Sequence, residues 1–386
     1  MPGPAHPWWE QFELPQLIVH EAAVTHNVAT MARWCVAHDV QLAPHAKTTM
    51  CAPVIAAQQA AGAWGLTVAT SRQARVLLDL GVRRVLVANL LVDPVVTAAL
   101  ARQAEARGAE VWCYVDSPAA VDLLRRGLSG DQVWSVLLEV GVAGGRTGVR
   151  TEAEAHAAAD AVATSAQLRL AGTSSFEGVL PAGSDGLPSP AVAAFLDRQH
   201  AITVALHAAG RFEVDVPVVS AGGSAFFDLV AEKLGPPAFA FPVQTLVRSG
   251  CYVTHDHGLY ARTSPFGDRA AAGPRLRPAL ELLAAVWSRP EPGIVIAGLG
   301  RRDVPFDDRL PIVLDVATRA QDVSGWTVTR LWDQHAYVEV PAEADVAPGD
   351  VLRLGISHPC GAFDRWRSIP VLDEDHTVVD IWHPAL

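Results

Sequence analysis

The stretch Val40-Gln41-Leu42-Ala43-Pro44-His45-Ala46-Lys47-Thr48-Thr49-Met50 joins a short apolar run to a lysine. The apolar run predicts a β-strand, and a helical pattern follows over residues 50–62. Lys47 therefore lies just after the carboxyl end of a predicted strand, where barrel enzymes place catalytic side chains. Lysines are few among the 30 basic residues, and an amine can form an imine whereas a guanidinium cannot. On this pattern alone, a solvated lysine at the rim of a sheet is the commoner alternative.

Short apolar runs and amphipathic stretches alternate from about residue 22 to residue 250. The helical candidates have apolar residues three and four positions apart, and they include residues 22–37, 50–62, 94–107, 151–164 and 190–209. The strand candidates between them include residues 66–69, 85–88, 111–115, 136–140 and 217–220. About eight such strand–helix units close a parallel barrel, and the sequence offers seven or eight. We predict an α/β fold with a TIM-type (β/α)8 barrel over residues 22–255.

The pattern changes after about residue 255, where Pro, Gly and Arg separate short alternating segments such as 293–297 and 335–340. Such segments are typical of antiparallel strands. We therefore predict a β domain over residues 256–386. The run Gln16–His20 precedes the first helix, and we assign residues 1–21 to the same β domain.

Composition excludes several classes of function. The net charge of −11 argues against nucleic acid or an anionic membrane as a partner, because phosphate binding needs clustered Lys and Arg. The first residues show no basic start followed by an apolar segment, and no apolar stretch is long enough to span a membrane. The five cysteines are scattered and odd in number, so a disulfide framework is not expected. We expect a cytoplasmic protein.

A glycine-rich turn, Ser220-Ala221-Gly222-Gly223-Ser224, follows a late predicted strand. Adjacent glycines let backbone amides approach an anion, and the start of the next helix adds partial positive charge. Barrel enzymes often bind phosphate in their late loops. An ordinary strand-to-helix turn is an equal alternative on the sequence alone.

Two histidine motifs have the spacing of metal ligands. In Ser357-His358-Pro359-Cys360, an extended backbone would direct His358 and Cys360 to the same side, and imidazole with thiolate suits zinc. A single pair does not fix a metal and is usually coincidental. His255-Asp256-His257 has the same spacing within a turn-like stretch, where a structural pair is the favoured interpretation.

The segment Pro44-His45-Ala46-Lys47-Thr48 resembles the cofactor-lysine segment of fold-type III pyridoxal-phosphate enzymes, whose fold is alanine-racemase-like. More narrowly, the chain resembles the D-threonine aldolases, eukaryotic-type D-serine dehydratases and related amino-acid deaminases. The resemblance implies that Lys47 holds pyridoxal phosphate as a Schiff base and acts in catalysis, with His335 as a second catalytic candidate near the cofactor. The residues on either side of His335, Gln334 and Ala336, differ from the Glu-His-Gly context that is usual in the family. The resemblance further implies that the cofactor is bound by His45, Arg146, Gly222, Gly223, Ser224 and Tyr252, with the substrate carboxylate as the alternative partner of Arg146.

The resemblance also places a divalent metal on His358 and Cys360. Aldolases of this group tend to offer His and Asp, which suit manganese, whereas the dehydratases offer His and Cys, which suit zinc. Cys360 therefore favours zinc-assisted β-elimination of a β-hydroxy-D-amino acid, such as D-serine or D-threonine, to a 2-oxo acid and ammonia. The alternatives are a metal-dependent D-threonine aldolase and, with less support, an amino-acid racemase or a non-catalytic pyridoxal-phosphate carrier. The family resemblance also predicts a homodimer.

Overall fold

The computed structural model describes residues 7–129, 132–183, 185–270 and 273–385. Two sheets organise these residues, one of eight strands and one of nine. The strands of the first sheet are β2 Gln41–Leu42, β3 Leu66–Val68, β4 Arg84–Leu90, β5 Glu110–Val115, β6 Trp134–Val140, β7 Leu168–Ser175, β8 Val218–Ala221 and β9 Gln244–Val247. The helices are α1 Glu21–Ala37, α2 Ala52–Ala60, α3 Ser71–Asp79, α4 Pro94–Arg107, α5 Pro118–Gly127, α6 Glu152–Ala163, α7 Pro190–Ala208, α8 Phe227–Leu234 and α9 Leu259–Thr263.

The first sheet is parallel throughout and closes on itself. Its strand order is β2-β9-β8-β7-β6-β5-β4-β3, so β2 and β3 stand at its two ends. The backbone N–H of Trp64 donates to the carbonyl of Leu42 at 2.8 Å, and that of Thr67 donates to the carbonyl of Pro44 at 2.9 Å. A parallel bridge between His45 and Thr67 continues this closure. The predicted barrel is confirmed, and the segment that carries Lys47 closes it.

The second sheet is mostly antiparallel. Its strands are β1 Gln16–His20, β10 Leu280–Glu291, β11 Ile294–Ala297, β12 Ile312–Val316, β13 Thr327–Leu331, β14 Ala336–Glu339, β15 Val351–Gly355, β16 Ile369–Leu372 and β17 Val378–Trp382. Strand β1 pairs antiparallel with β10 and parallel with β16. The predicted antiparallel β region is confirmed, and Gln16–His20 belongs to its sheet.

Local sequence accounts for most of the barrel elements. Strand β6 is buried along its whole length, as an apolar strand covered by helices on the outside should be. Four barrel helices begin after a residue whose side chain accepts a hydrogen bond from a backbone N–H of the first turn, namely Thr70, Asp93, Ser117 and Thr151. Within the described ranges, no helix has the length and apolarity needed to cross a membrane.

Strands β7 and β9 were absent from our strand candidates. The second half of β7 is polar yet buried, because its hydroxyl groups find partners inside the barrel. Ser174 donates to the hydroxyl of Tyr114 at 2.7 Å, and Ser175 donates to Gln199 at 2.5 Å. A pattern of apolar residues cannot reveal a strand whose buried half is polar.

The lysine segment also contacts the last described residues of the chain. The N–H of Ala385 donates to the carbonyl of Met50 at 2.9 Å, and Cys51 forms an antiparallel bridge with Pro384. Met50 has a φ of 41°, a left-handed conformation that is rare for a residue with a side chain, and it is fully buried. Contacts distant in sequence therefore fix the backbone just after Lys47.

A buried ion pair within the second sheet predicts a pH-dependent stability. Arg353 donates to both carboxylate oxygens of Glu281, at 2.9 and 3.0 Å, and His20 lies 3.2 Å from the same carboxylate. Burial by itself would raise the pKa of Glu281, but His20 and Arg353 together lower it to about 2. The carboxyl group thus binds its proton less readily in the folded chain than in the unfolded one, so its contribution is present above the ordinary pKa and is lost as the pH falls towards 2.

We expect Glu281→Gln to lower the free energy of unfolding by about 3 kcal/mol near pH 6, since one pKa unit corresponds to about 1.36 kcal/mol. The difference between the two proteins should shrink as the pH is lowered from 5 to 3. Urea unfolding of both proteins across this range measures it. A difference that does not change with pH would contradict the assignment.

Candidate active site

A cavity of about 470 Å³ lies at the carboxyl ends of the barrel strands. Its walls come from the loops after several strands and from the segment after β15. It contains eight of the site residues predicted from the sequence: His45, Lys47, Arg146, Gly222, Gly223, Ser224, His358 and Cys360. The predicted lysine, glycine loop and metal pair are therefore parts of one site.

Lys47 lies in a short 3-10 helix, Ala46–Thr48, directly after β2. Its side chain makes no hydrogen bond or ion pair with a residue of the described ranges. The other lysine of the chain, Lys233 on α8, forms an ion pair with Asp197 at 3.0 Å and does not line the cavity. Lys47 is thus the one lysine amine positioned to react with a group bound in the cavity.

The end of β9 packs tightly against the lysine segment. The N–H of Ala43 donates to the carbonyl of Val247 at 2.9 Å, and that of His45 donates to the carbonyl of Arg248 at 3.2 Å. A Cβ atom on Gly250 would lie 2.5 Å from the carbonyl oxygen of His45. Only glycine permits this approach, which places the chain after β9 beside the lysine.

Positive charge concentrates at the cavity. The guanidinium of Arg146 lies 4.8 Å from the centre of the Phe176 ring, and buried Arg248 donates to hydroxyl and carbonyl oxygens of the neighbouring strands. Neither arginine forms an ion pair with a carboxylate of the described residues. Burial, followed by the charges of Lys47, Arg248 and Arg146, lowers the pKa of His45 well below its ordinary value. These positive groups would attract an anionic ligand.

The glycine loop already has a carboxylate partner. The N–H groups of Gly222 and Gly223 donate to the two carboxylate oxygens of Glu177, each at 2.9 Å, and Glu177 is fully buried. Gly222 has a φ of 93°, which requires glycine. The two amides that the sequence assigned to a phosphate are therefore engaged by Glu177. Ser224 makes no hydrogen bond within the described part of the chain and is the loop's remaining donor.

Two further polar side chains of the cavity escaped the sequence analysis. Glu139, at the end of β6, is buried, and burial raises its pKa. Tyr114, on β5, accepts a hydrogen bond from Ser174, which in turn accepts one from Arg248 at 3.2 Å. Burial raises the pKa of Tyr114, so its hydroxyl keeps a proton that it can donate into the cavity. Both residues lie inside apolar strands, where the sequence alone gives no sign of their role.

In the structure, a third possible donor lies beside the predicted metal pair. Donor atoms of Cys251, His358 and Cys360 all lie within 4.8 Å of one another. Asp307 lies 2.6 Å from Nδ1 of His358, so Nε2 is the ring nitrogen that could bind a metal. Cys251 and Asp307 escaped the sequence analysis because each is distant in sequence from the residues it contacts.

The pKa values of Cys360 and His358 are shifted in opposite directions. The contact with Cys251, and then the hydrogen bond and charge of His358, lower the pKa of Cys360 well below its ordinary value. Burial would lower the pKa of His358, but Cys360 and Asp307 outweigh it and raise it to about 9. The low pKa favours the thiolate of Cys360, the form of cysteine that binds metals. His358 would lose its proton on binding a metal, because only the neutral imidazole is a ligand.

The cavity fits the two groups that the family resemblance implies. For pyridoxal phosphate, it offers an unpaired lysine amine, two arginines without carboxylate partners, and a buried Nδ1 of His45 that has no hydrogen-bond partner. For a divalent metal, it offers imidazole and thiolate donors close together.

The structure does not bring four other candidates to the cavity. Tyr252 is buried behind it, with its hydroxyl 3.2 Å from the amide nitrogen of Gln58. His335 is exposed in the turn between β13 and β14, with its ring centre 5.2 Å from that of Trp287. His255 is buried and His257 is half-buried, and neither belongs to the group of donor atoms around His358 and Cys360. Burial lowers the pKa of each to about 4.

Comparison with known families gives two matches in chain order. The family model "Alanine racemase, N-terminal domain" matches residues 19–254, and the model "Putative serine dehydratase domain" matches residues 279–372. The first match covers the barrel, and the second covers strands β10 to β16 of the second sheet.

Individual relatives cover most of the chain. D-threonine aldolase of Arthrobacter sp. is 27% identical over 99% of this chain and 95% of its own length. D-threo-3-hydroxyaspartate dehydratase of Delftia sp. (strain HT23) is 31% identical over 63% of this chain and 62% of its own. The crystal structure of D-threonine aldolase from Filomicrobium marinum superposes with a TM-score of 0.81 at 25% identity, over 97% of this chain and 96% of that one.

Proposed function

The chain belongs to the alanine racemase N-terminal domain family, among the fold-type III pyridoxal-phosphate enzymes, and on this premise we propose that it eliminates the β-hydroxyl group of a β-hydroxy-D-amino acid. The products would be a 2-oxo acid and ammonia. The relatives are an aldolase and a dehydratase, so the enzyme is of the lyase kind. The observation that carries the proposal is that Lys47 lines the same cavity as His358 and Cys360.

Each part of the reaction has a residue suited to it. Pyridoxal phosphate supplies a sink for the electrons left at the α-carbon, and a divalent metal supplies a Lewis acid for the β-oxygen. The amine of Lys47, which has no partner among the described residues, can take the α-proton. Arg146 lies at the cavity wall with its guanidinium over Phe176, where it can bind the substrate carboxylate with two hydrogen bonds. Asp307 holds the imidazole of His358 in place.

The thiolate donor favours elimination over carbon–carbon cleavage. Elimination needs the β-oxygen to leave, whereas retro-aldol cleavage needs the same hydroxyl to lose a proton. In the dehydratases that the sequence resembles, the metal pair is His and Cys, as it is here at His358 and Cys360. Thiolate also favours zinc over manganese.

Retro-aldol cleavage is the second candidate function. It is supported by the match to D-threonine aldolase of Arthrobacter sp. over 99% of this chain. The same cavity residues would serve both reactions, and the reactions differ in the bond of the substrate that is broken.

Product analysis separates the two candidates. We expect D-threonine to yield 2-oxobutyrate and ammonia in the presence of zinc, and D-serine and D-threo-3-hydroxyaspartate to yield the corresponding 2-oxo acids. The L-enantiomers serve as controls and should give no product. Glycine and acetaldehyde as the main products from D-threonine would establish the aldolase instead. If none of these D-amino acids is converted with zinc or manganese, the proposal fails.

A further inference from the structure

Cys251 belongs neither to the predicted metal pair nor to the residues predicted to bind the cofactor. It begins a short 3-10 helix, Cys251–Val253, a few residues after β9, and it lines the cavity together with Lys47. Its Sγ atom lies 3.4 Å from Sγ of Cys360. Cys251 therefore reaches the metal motif from the barrel, whereas His358 and Cys360 come from the segment after β15.

The spacing of the donor atoms suits one tetrahedral ion. Two sulfur atoms bound to zinc at about 2.3 Å, with a tetrahedral angle between the bonds, are about 3.8 Å apart. The 3.4 Å between Cys251 and Cys360 needs only a small shift to reach this value. The three donor atoms, including that of His358, fit within 4.8 Å of one another. One ion can thus contact all three.

We propose that Cys251 is a third protein ligand of the metal held by His358 and Cys360. This inference rests on the proposed function only in assuming that a metal binds at this pair. Three protein ligands leave one position of a tetrahedral ion open, which is the usual arrangement of catalytic zinc. The substrate β-oxygen would take that position.

The surroundings of Cys251 differ from those of a cysteine that only packs in a core. The hydroxyl oxygen of Thr48 lies 3.6 Å from its sulfur. The ring of Tyr260 packs edge-on against the His358 ring, with ring centres 5.8 Å apart. Hydroxyl groups close to a ligand sulfur can orient it towards a metal. Cys35, by contrast, belongs to the apolar core.

A third ligand has two consequences for the site. Two thiolates balance the charge of a divalent ion, and soft sulfur donors select zinc rather than manganese. The ligand also links the metal to the cofactor lysine, because Thr48, which contacts Cys251, directly follows Lys47 in the chain.

Zinc X-ray absorption of the holoenzyme, prepared under reducing conditions, tests the assignment without relying on activity. We expect two sulfur atoms at about 2.3 Å from zinc in the natural chain. Cys251→Ser should leave one, as should Cys360→Ser. The zinc dissociation constant of Cys251→Ser, measured by chelator competition, should rise at least on the order of 100-fold, because even indirect partners of metal ligands contribute 10- to 100-fold.

Cys35→Ala is the matched control, since it removes a buried cysteine outside the cavity and should keep both sulfur neighbours. Visible absorbance of the bound cofactor and the melting temperature show whether each variant is folded. If zinc in Cys251→Ser still has two sulfur neighbours, or if zinc in the natural chain has only one, the inference is overturned and the proposed reaction is unaffected. A natural chain that binds no zinc would overturn the inference and the metal part of the proposed function. Failure of every D-amino acid as substrate, with two sulfurs still bound, would overturn only the proposed function.

Discussion

Replacing Lys47 with alanine should abolish turnover and remove the visible absorbance of lysine-bound pyridoxal phosphate. The loss of rate should be at least about 10⁴-fold, because the amine both attaches the cofactor and moves the α-proton, and a general base alone contributes up to about 10⁴-fold. No other lysine can substitute, since Lys233 lies outside the cavity in an ion pair with Asp197.

Two variants and one labelling experiment complete this test. Lys47→Arg keeps the positive charge but cannot form an imine, so it should be as inactive as the alanine variant. Lys233→Ala should keep absorbance and activity. Borohydride reduction of the natural enzyme should attach the cofactor to the peptide that contains Lys47. Attachment at Lys233, or an unchanged spectrum in Lys47→Ala, would refute the assignment.

Removing the metal should stop the reaction while leaving the cofactor in place. A Lewis acid contributes several kcal/mol to the transition state, so we expect chelation, or His358→Ala, to slow turnover by about 10³-fold. The visible absorbance of lysine-bound pyridoxal phosphate should persist, because the residues that would hold this cofactor are separate from His358 and Cys360. Turnover and absorbance, recorded on the same samples before and after chelation, measure both effects.

Adding metals back to the chelated enzyme provides the control. Zinc should restore turnover, and manganese should restore it less well. Cys360→Asp should shift this preference towards manganese, because a carboxylate is a harder ligand than a thiolate. Cys35→Ala should behave as the natural enzyme does. Full activity after chelation would mean that His358 and Cys360 do not hold a catalytic metal.

Those parts of the fold that depend on local pattern were predictable from the sequence. Helices such as Glu21–Ala37 and Pro94–Arg107 have apolar residues at helical spacing, and their predicted bounds are close to the observed ones. Strand β7 was missed because its buried half, ending in Ser174 and Ser175, is stabilised by hydrogen bonds within the barrel. Its hydrogen-bond partners lie on other elements of the barrel, so the local sequence pattern does not predict this strand.

The same distinction applies to the site. Lys47 and the His358–Cys360 pair stand in recognisable short motifs, and the structure places them in one cavity. Cys251 and Asp307 could not be found in this way, because each is linked to the site only by a contact with a residue distant in sequence. The glycine loop shows a further limit: its sequence predicts free amides, but Glu177 occupies those of Gly222 and Gly223.

The hydrogen bond from Ala385 to Met50, and the bridge between Pro384 and Cys51, have a consequence for biosynthesis. Synthesis proceeds from the N-terminus, and early parts of a protein begin to fold before later parts exist. The backbone after Lys47 gains these contacts only once residues 384 and 385 have left the ribosome. While residues 384 and 385 are still unmade, the lysine segment of a nascent barrel therefore lacks two of the backbone contacts that it has in the folded protein.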